Sequence, residues 1–110
     1  MRILLLCLCI GLSSLVFGQG STTSEMKGIV TTADGEAVIG ANVVAVHEPS
    51  GTVFGTATDS EGNYQLPGMK VGGPYKITVS FTGYTDVTLD NVMLRLGEPF
   101  RHDLVMNEAN

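Results

Sequence analysis

The chain has 110 residues, with eleven acidic against six basic, a net charge of −5 and no tryptophan. That length holds one domain, and basic residues scattered singly offer no stripe for neutralising phosphates, so nucleic acid is not an expected partner. Both cysteines, Cys7 and Cys9, fall in the first ten residues, so the rest has no disulfide framework and no thiolate metal site.

Met1 and Arg2 form a short positive start, Ile3 to Ile10 is an unbroken apolar run, and Gly11 to Phe17 continues it with smaller residues. Val16 and Gly18 supply small residues three and one positions before a cleavage point. This pattern predicts a secretory signal peptide over 1–18, cut to leave Gln19 first. The run is too short for the ~20 residues that span a bilayer. A lipoprotein would need a cysteine just after the apolar region, and Cys7 and Cys9 lie inside it. With Arg2 gone, five basic residues (Lys27, Lys70, Lys76, Arg95 and Arg101) face eleven acidic ones, a net charge of −6. A small secreted domain without disulfides, behind such a leader, is expected in a bacterial periplasm or associated with the outer membrane.

Residues 19–25 are rich in Gly, Ser and Thr and read as a flexible lead-in, and 26–107 as the folded domain with a short 108–110 tail. Met26 to Thr32 predicts a first strand, closed by a turn at Asp34-Gly35. Ala41 to Val46 is apolar on both faces, which predicts a strand covered on both sides or near a sheet centre. Pro49-Ser50-Gly51 turns it into Thr52 to Thr58, the clearest hairpin of the chain. A turn at Asp59-Ser60-Glu61-Gly62 leads to a strand from Asn63 to Leu66, which Pro67-Gly68 is expected to end. Gly72-Gly73-Pro74 opens the next strand, where Tyr75, Ile77, Val79 and Phe81 alternate with polar residues and predict a core-facing row. After Gly83-Tyr84, Val87 to Leu96 and Phe100 to Met106 complete the set. About seven strands at this spacing predict an all-β, antiparallel β-sandwich, with a small closed barrel as the competing arrangement.

Four blocks then fall in one order: Gly28-Ile29-Val30, Asp34 through Val43, Thr58 through Leu66, and Tyr75 to Tyr84. Together they resemble the carboxypeptidase regulatory-like domain, over Met26 to about Met106. The resemblance implies a transthyretin (prealbumin)-like, seven-stranded sandwich that is not itself a peptidase. It also implies a common setting, a signal peptide followed by this domain and then the plug and barrel of a TonB-dependent outer-membrane receptor. The chain stops at Asn110 without plug or barrel strands, so the expectation is a fragment of such a receptor or a stand-alone relative.

No residue is expected to be catalytic, cofactor-binding or metal-binding. His47 and His102 are far apart in sequence and read as solvated surface residues. Asp59-x-Glu61-x-Asn63 lacks the glycine and the closing glutamate of a calcium loop, since Tyr64 and Lys70 stand there. Gly68 to Gly73 has no helix behind it to present an anion site, and no serine has a nucleophile's context. The expected function is therefore a non-catalytic periplasmic interaction domain, in contact with an envelope protein or receptor assembly. The alternative is a carbohydrate-binding sandwich, for which Phe54 and Tyr84 are the candidate exposed rings.

Overall fold

The computed structural model describes residues 23–109, and the leader predicted over 1–18 lies outside them. Within that span the chain forms β1 (Thr23–Thr32), β2 (Asn42–His47), β3 (Thr52–Ala57), β4 (Asn63–Lys70), β5 (Gly72–Ser80), β6 (Val87–Leu94), β7 (Phe100–Arg101) and β8 (Leu104–Met106). The first strand begins at Thr23, inside the segment expected as lead-in. These strands make two sheets packed as the expected sandwich. One has the order β4-β1-β7, with β8 also on β1, and the other β3-β2-β5-β6.

Both inner faces follow the period of two that strand geometry imposes. Met26 and Val30 from β1, Val43 and Ala45 from β2, and Tyr75, Ile77 and Val79 from β5 are all fully buried. Tyr64, Leu66, Met69, Val92, Leu94, Leu104 and Met106 complete the core between the sheets. The strand read as covered on both sides is β2, which lies between β3 and β5. Its Val44 and Val46 are only half-buried, so central placement in the sheet, rather than a second covering layer, accounts for its apolar outer face.

Later strand boundaries also differ from expectation, for local reasons. Pro67-Gly68 does not end β4. Leu66 pairs with Met26 and Met69 with Ser24, so two β4 residues stand opposite Glu25 alone. This β-bulge absorbs one residue and returns Met69 to the core. The proline is tolerated because β4 is an edge strand, where a missing N–H leaves no ladder bond unmade. The same device occurs in β6, where Leu89 pairs with Ile77 and Val92 with Tyr75. The extra residue there is accommodated at Asn91, whose φ of 58° lies in the left-handed region that asparagine tolerates. β6 ends at Leu94, two residues early, as Arg95–Glu98 turns the chain over to the other sheet.

The strand expected from Phe100 to Met106 is split into β7 and β8, and both run parallel to β1. One side of β1 is therefore paired in parallel, in an otherwise antiparallel sandwich. The split does not change the register: Met26 opposes Phe100 before it and Val30 opposes Leu104 after it. At the gap the His102 N–H donates to the Lys27 carbonyl (2.9 Å), and the Ile29 N–H donates to Asp103 Oδ1 (3.1 Å). A side-chain carboxylate thus takes the place of a ladder carbonyl.

The His102 carbonyl, freed from the ladder, accepts a short hydrogen bond from the Tyr64 hydroxyl, which reaches across β1 from β4. Gly28 makes this passage possible. A Cβ at Gly28 would overlap the His102 carbonyl and lie 2.9 Å from the Tyr64 hydroxyl oxygen. Burial raises the Tyr64 phenol to about 12, and the Asp103 carboxylate adds to the shift. Tyr75 is also raised by burial, and its hydroxyl donates to the Lys70 carbonyl at 2.7 Å.

Thr58 ties the loop before β2 to the core. Its hydroxyl donates to the Val38 carbonyl and accepts from the Ala41 N–H, and its own N–H donates to the Ala41 carbonyl. These bonds fold the Ala37–Ala41 loop back so that Val38 enters the core. Gly40, with φ of 82°, gives the reversal the loop needs. Among the described residues every buried side-chain polar atom has a partner.

Two outcomes are expected of this junction. Gly28→Ala should destabilise the domain by about 3 kcal/mol, the upper end of an overpacking cost, because the clash is with backbone. Chemical denaturation reads this directly, and an unchanged midpoint would contradict the close passage. Tyr64→Phe should cost about 1–2 kcal/mol by leaving the His102 carbonyl unpaired. The folded-state pKa of Tyr64 lies above its unfolded value, so its stabilising contribution is complete below pH 10 and lost as pH rises from 10 towards 12. Between those values the wild type should lose stability more steeply than Tyr64→Phe.

Candidate interaction surface

The structure does not bring the chemically capable side chains together. His47 ends β2 in one sheet and His102 sits at the β7–β8 gap in the other. Neither is a freely solvated surface residue. Both are half-buried against rings: His47 meets Tyr75 edge-on at 5.0 Å, and His102 stacks on Phe100 at 6.1 Å and 13°. His47 Nδ1 also bonds Ser50 Oγ in the hairpin turn (2.6 Å). No group of three or more His, Cys, Asp or Glu able to hold a metal ion occurs among the described residues.

The Asp59 turn has an internal explanation. Asp59 Oδ1 accepts from the Glu61 and Asn63 N–H groups, both at 2.9 Å, and Gly62 takes a φ of 81°. The carboxylate is used by its own turn, as side-chain capping of a loop requires. Gly68 to Gly73 spans the end of β4 and the start of β5 and has no helix behind it.

The aromatic residues of the described span face inward. Tyr64 and Tyr75 are buried, and Phe54, Phe81, Tyr84 and Phe100 are half-buried and packed on the core. Phe54 and Tyr84, the rings expected to be available to a sugar, belong to this group. Phe54 lies 6.2 Å from Tyr75, and Tyr84 lies 5.7 Å from Phe81 at a tilt of 43°. A polar groove of about 370 Å³ includes Lys27, Thr56, Asp59, Tyr64 and Arg101 in its wall. Lys27 and Arg101 lie 3.9 Å and 3.4 Å from Glu25 and Asp103, so each cation already has a carboxylate beside it.

What the sandwich does present is strand edges, and they are not alike. The β4 edge carries Pro67, a bulge and Lys70. β6 carries Asp90 and the Asn91 bulge. The β7–β8 edge is interrupted and flanked by Arg101 and Asp103. Proline, charge, bulges and short length are the features that keep an edge from pairing with another chain. β3 has none of them. It pairs with β2 over six consecutive residues without a register shift, and Thr52 to Ala57 contains no charge and no proline. The hairpin was legible in the sequence. The regularity of its outer edge shows only against the other three, two of them bulged and one interrupted, and neither feature is legible in the sequence.

Residues 25–107 match the carboxypeptidase regulatory-like domain family. The chain is 48% identical over 82 residues to the TonB-dependent receptor SusC of Bacteroides thetaiotaomicron, a match that takes in 74% of this chain and 7% of that receptor. Among solved structures, catechol 1,2-dioxygenase of Acinetobacter radioresistens superposes with a TM-score of 0.63 at 16% identity, over 81% of this chain and 53% of the enzyme. A cohesin–X-dockerin complex of Acetivibrio cellulolyticus gives 0.59 at 19% identity, over 76% of this chain and 56% of that one. At these identities the structural likenesses show the sandwich fold alone, and the chain spans only a small part of the receptor and about half of each structural neighbour. With the match running through both sheets, from β1 to the end of β8, this chain belongs to the carboxypeptidase regulatory-like domain family.

Proposed function

We propose that this domain is a non-catalytic contact module of the bacterial envelope, carried at the front of a TonB-dependent receptor or derived from one. The observation that carries the reading is the 48% identity to such a receptor over 82 residues. The site geometry agrees with it. Asp59 is engaged by its own turn, Asp103 and Tyr64 are engaged by backbone groups at the β1–β8 junction, and His47 and His102 lie in different sheets. The dioxygenase likeness does not argue for oxygen chemistry, because one fold carries many unrelated functions. Inward-facing rings weigh against glycan binding, which needs open aromatic faces. In this reading the domain works by protein–protein contact or by spacing, at a periplasmic or outer-membrane-associated location.

Envelope fractionation and immunoblotting with an antibody against residues 23–109 should find the epitope in the outer-membrane fraction, on a species far larger than 11.6 kDa. A soluble species of this size would overturn the receptor setting. Deleting residues 26–107 from the native product should remove at least one co-purifying envelope protein. If nothing is lost and receptor function is unchanged, the contact role is wrong.

A further inference from the structure

The contact reading gains a location and a partner chemistry from the β3 edge. The Thr58 N–H donates to the Ala41 carbonyl, so the residue just beyond β3 points its backbone polar groups at β2. Backbone groups in an antiparallel strand alternate sides. Thr52, Phe54 and Thr56 therefore bond to β2, and the N–H and C=O groups of Val53, Gly55 and Ala57 face the open side. Those same residues are exposed, Val53 at 62%, while Phe54 anchors the inner face. The result is three successive donor–acceptor positions on a flat, uncharged strand.

The charges around this edge decide what can occupy it. Glu48 precedes β3 and Asp59 and Glu61 follow it. All three are exposed, and none has a cation within 4 Å among the described residues. A second copy pairing antiparallel through β3 would bring the Glu48 end of each chain to the Asp59–Glu61 turn of the other, placing like charges together at both ends. Like charges directly opposed across a pair are destabilising. A foreign strand with basic ends meets the opposite condition, since its charges complement both ends of β3 and its middle needs only backbone bonds. We propose that β3 is the docking edge of this domain, and that it takes by strand addition an extended, uncharged segment of another protein flanked by lysine or arginine. The proposal rests on the contact reading above.

The test uses the full chain and a fluorescent ten-residue peptide of alternating threonine and valine with lysine at both ends, followed by anisotropy at low salt. Saturable binding is expected, at least tenfold weaker when glutamate replaces the terminal lysines. Val53→Pro removes one outward N–H without touching a β2 bond, and should weaken binding at least tenfold. Ala57→Pro does the same at the far end and decides the matter if the first variant fails to fold. Thr88→Lys, on the β6 edge, should leave binding unchanged. No binding by the wild type, or equal binding by both proline variants, would overturn the proposal. A dimer in sedimentation that Val53→Pro abolishes would also overturn it, by assigning the edge to a second copy. If the native product keeps its envelope partner when β3 carries proline, this location is wrong while the contact reading stands.

Discussion

The passage of the Tyr64 hydroxyl over the bare Cα of Gly28 to the His102 carbonyl is the constraint on which one whole sheet depends. β1 is the only strand in that sheet with neighbours on both sides among the described residues, so β4, β7 and β8 are held together through it. The parallel side of β1 is the weaker arrangement, built from a two-residue and a three-residue strand with a gap between. Left alone, that gap would bury a carbonyl without a partner, at a cost of about 1–3 kcal/mol. Tyr64 supplies the partner from the antiparallel side, and Asp103 supplies an acceptor for Ile29. The two sides of β1 are thus coupled by a side chain as well as by the backbone.

The second organising device is the paired bulges. A strand that gains one residue turns every later side chain to the opposite face. β4 and β6 each contain an odd insertion, and each is absorbed where the backbone can bend, at Pro67-Gly68 and at Asp90-Asn91. Past the bulge, Met69 and the pair Val92 and Leu94 point inward again. Without the shift those side chains would face water, and each large apolar group left outside forfeits roughly 1.5–3 kcal/mol. Both bulges lie on edge strands, where the distortion also makes the edge a poor template for pairing.

Alternation and turn chemistry made much of this fold legible in the sequence. The row Tyr75, Ile77, Val79 read correctly as core, and the hairpin joining β2 to β3 followed from Pro49-Ser50-Gly51 between two apolar runs. Phe81 continued the pattern on paper, yet it sits half-buried at the turn with Tyr84, because the strand ends at Ser80. The bulges were not legible, since a proline-glycine pair signals a strand end and a bulge equally well. Nor was the split of the last strand. It depends on Gly28, Tyr64 and His102, three residues that are distant in sequence and meet only once β4, β1 and the β7–β8 segment are paired in one sheet. The neighbours of the histidines were not legible for a related reason. Alternation reports which face a residue occupies, and the rings beside His47 and His102 come from tertiary packing.

The two sheets have four edges among the described residues, and the way each is managed is itself information. Three edges carry devices that oppose pairing, and two of those devices also restore core parity, so they would exist whether or not an open edge were harmful. The regular β3 edge has no such second purpose. A single charge at Val53 or Gly55 would blunt it at little cost to packing, because Val53 is largely exposed and a Cβ at Gly55 would meet nothing closer than 3.8 Å. An edge so easily protected yet left bare is a liability unless something covers it. With Asp59 taken up by its own turn and Asp103 and Tyr64 by the β1 junction, that bare edge is where backbone chemistry remains free to act.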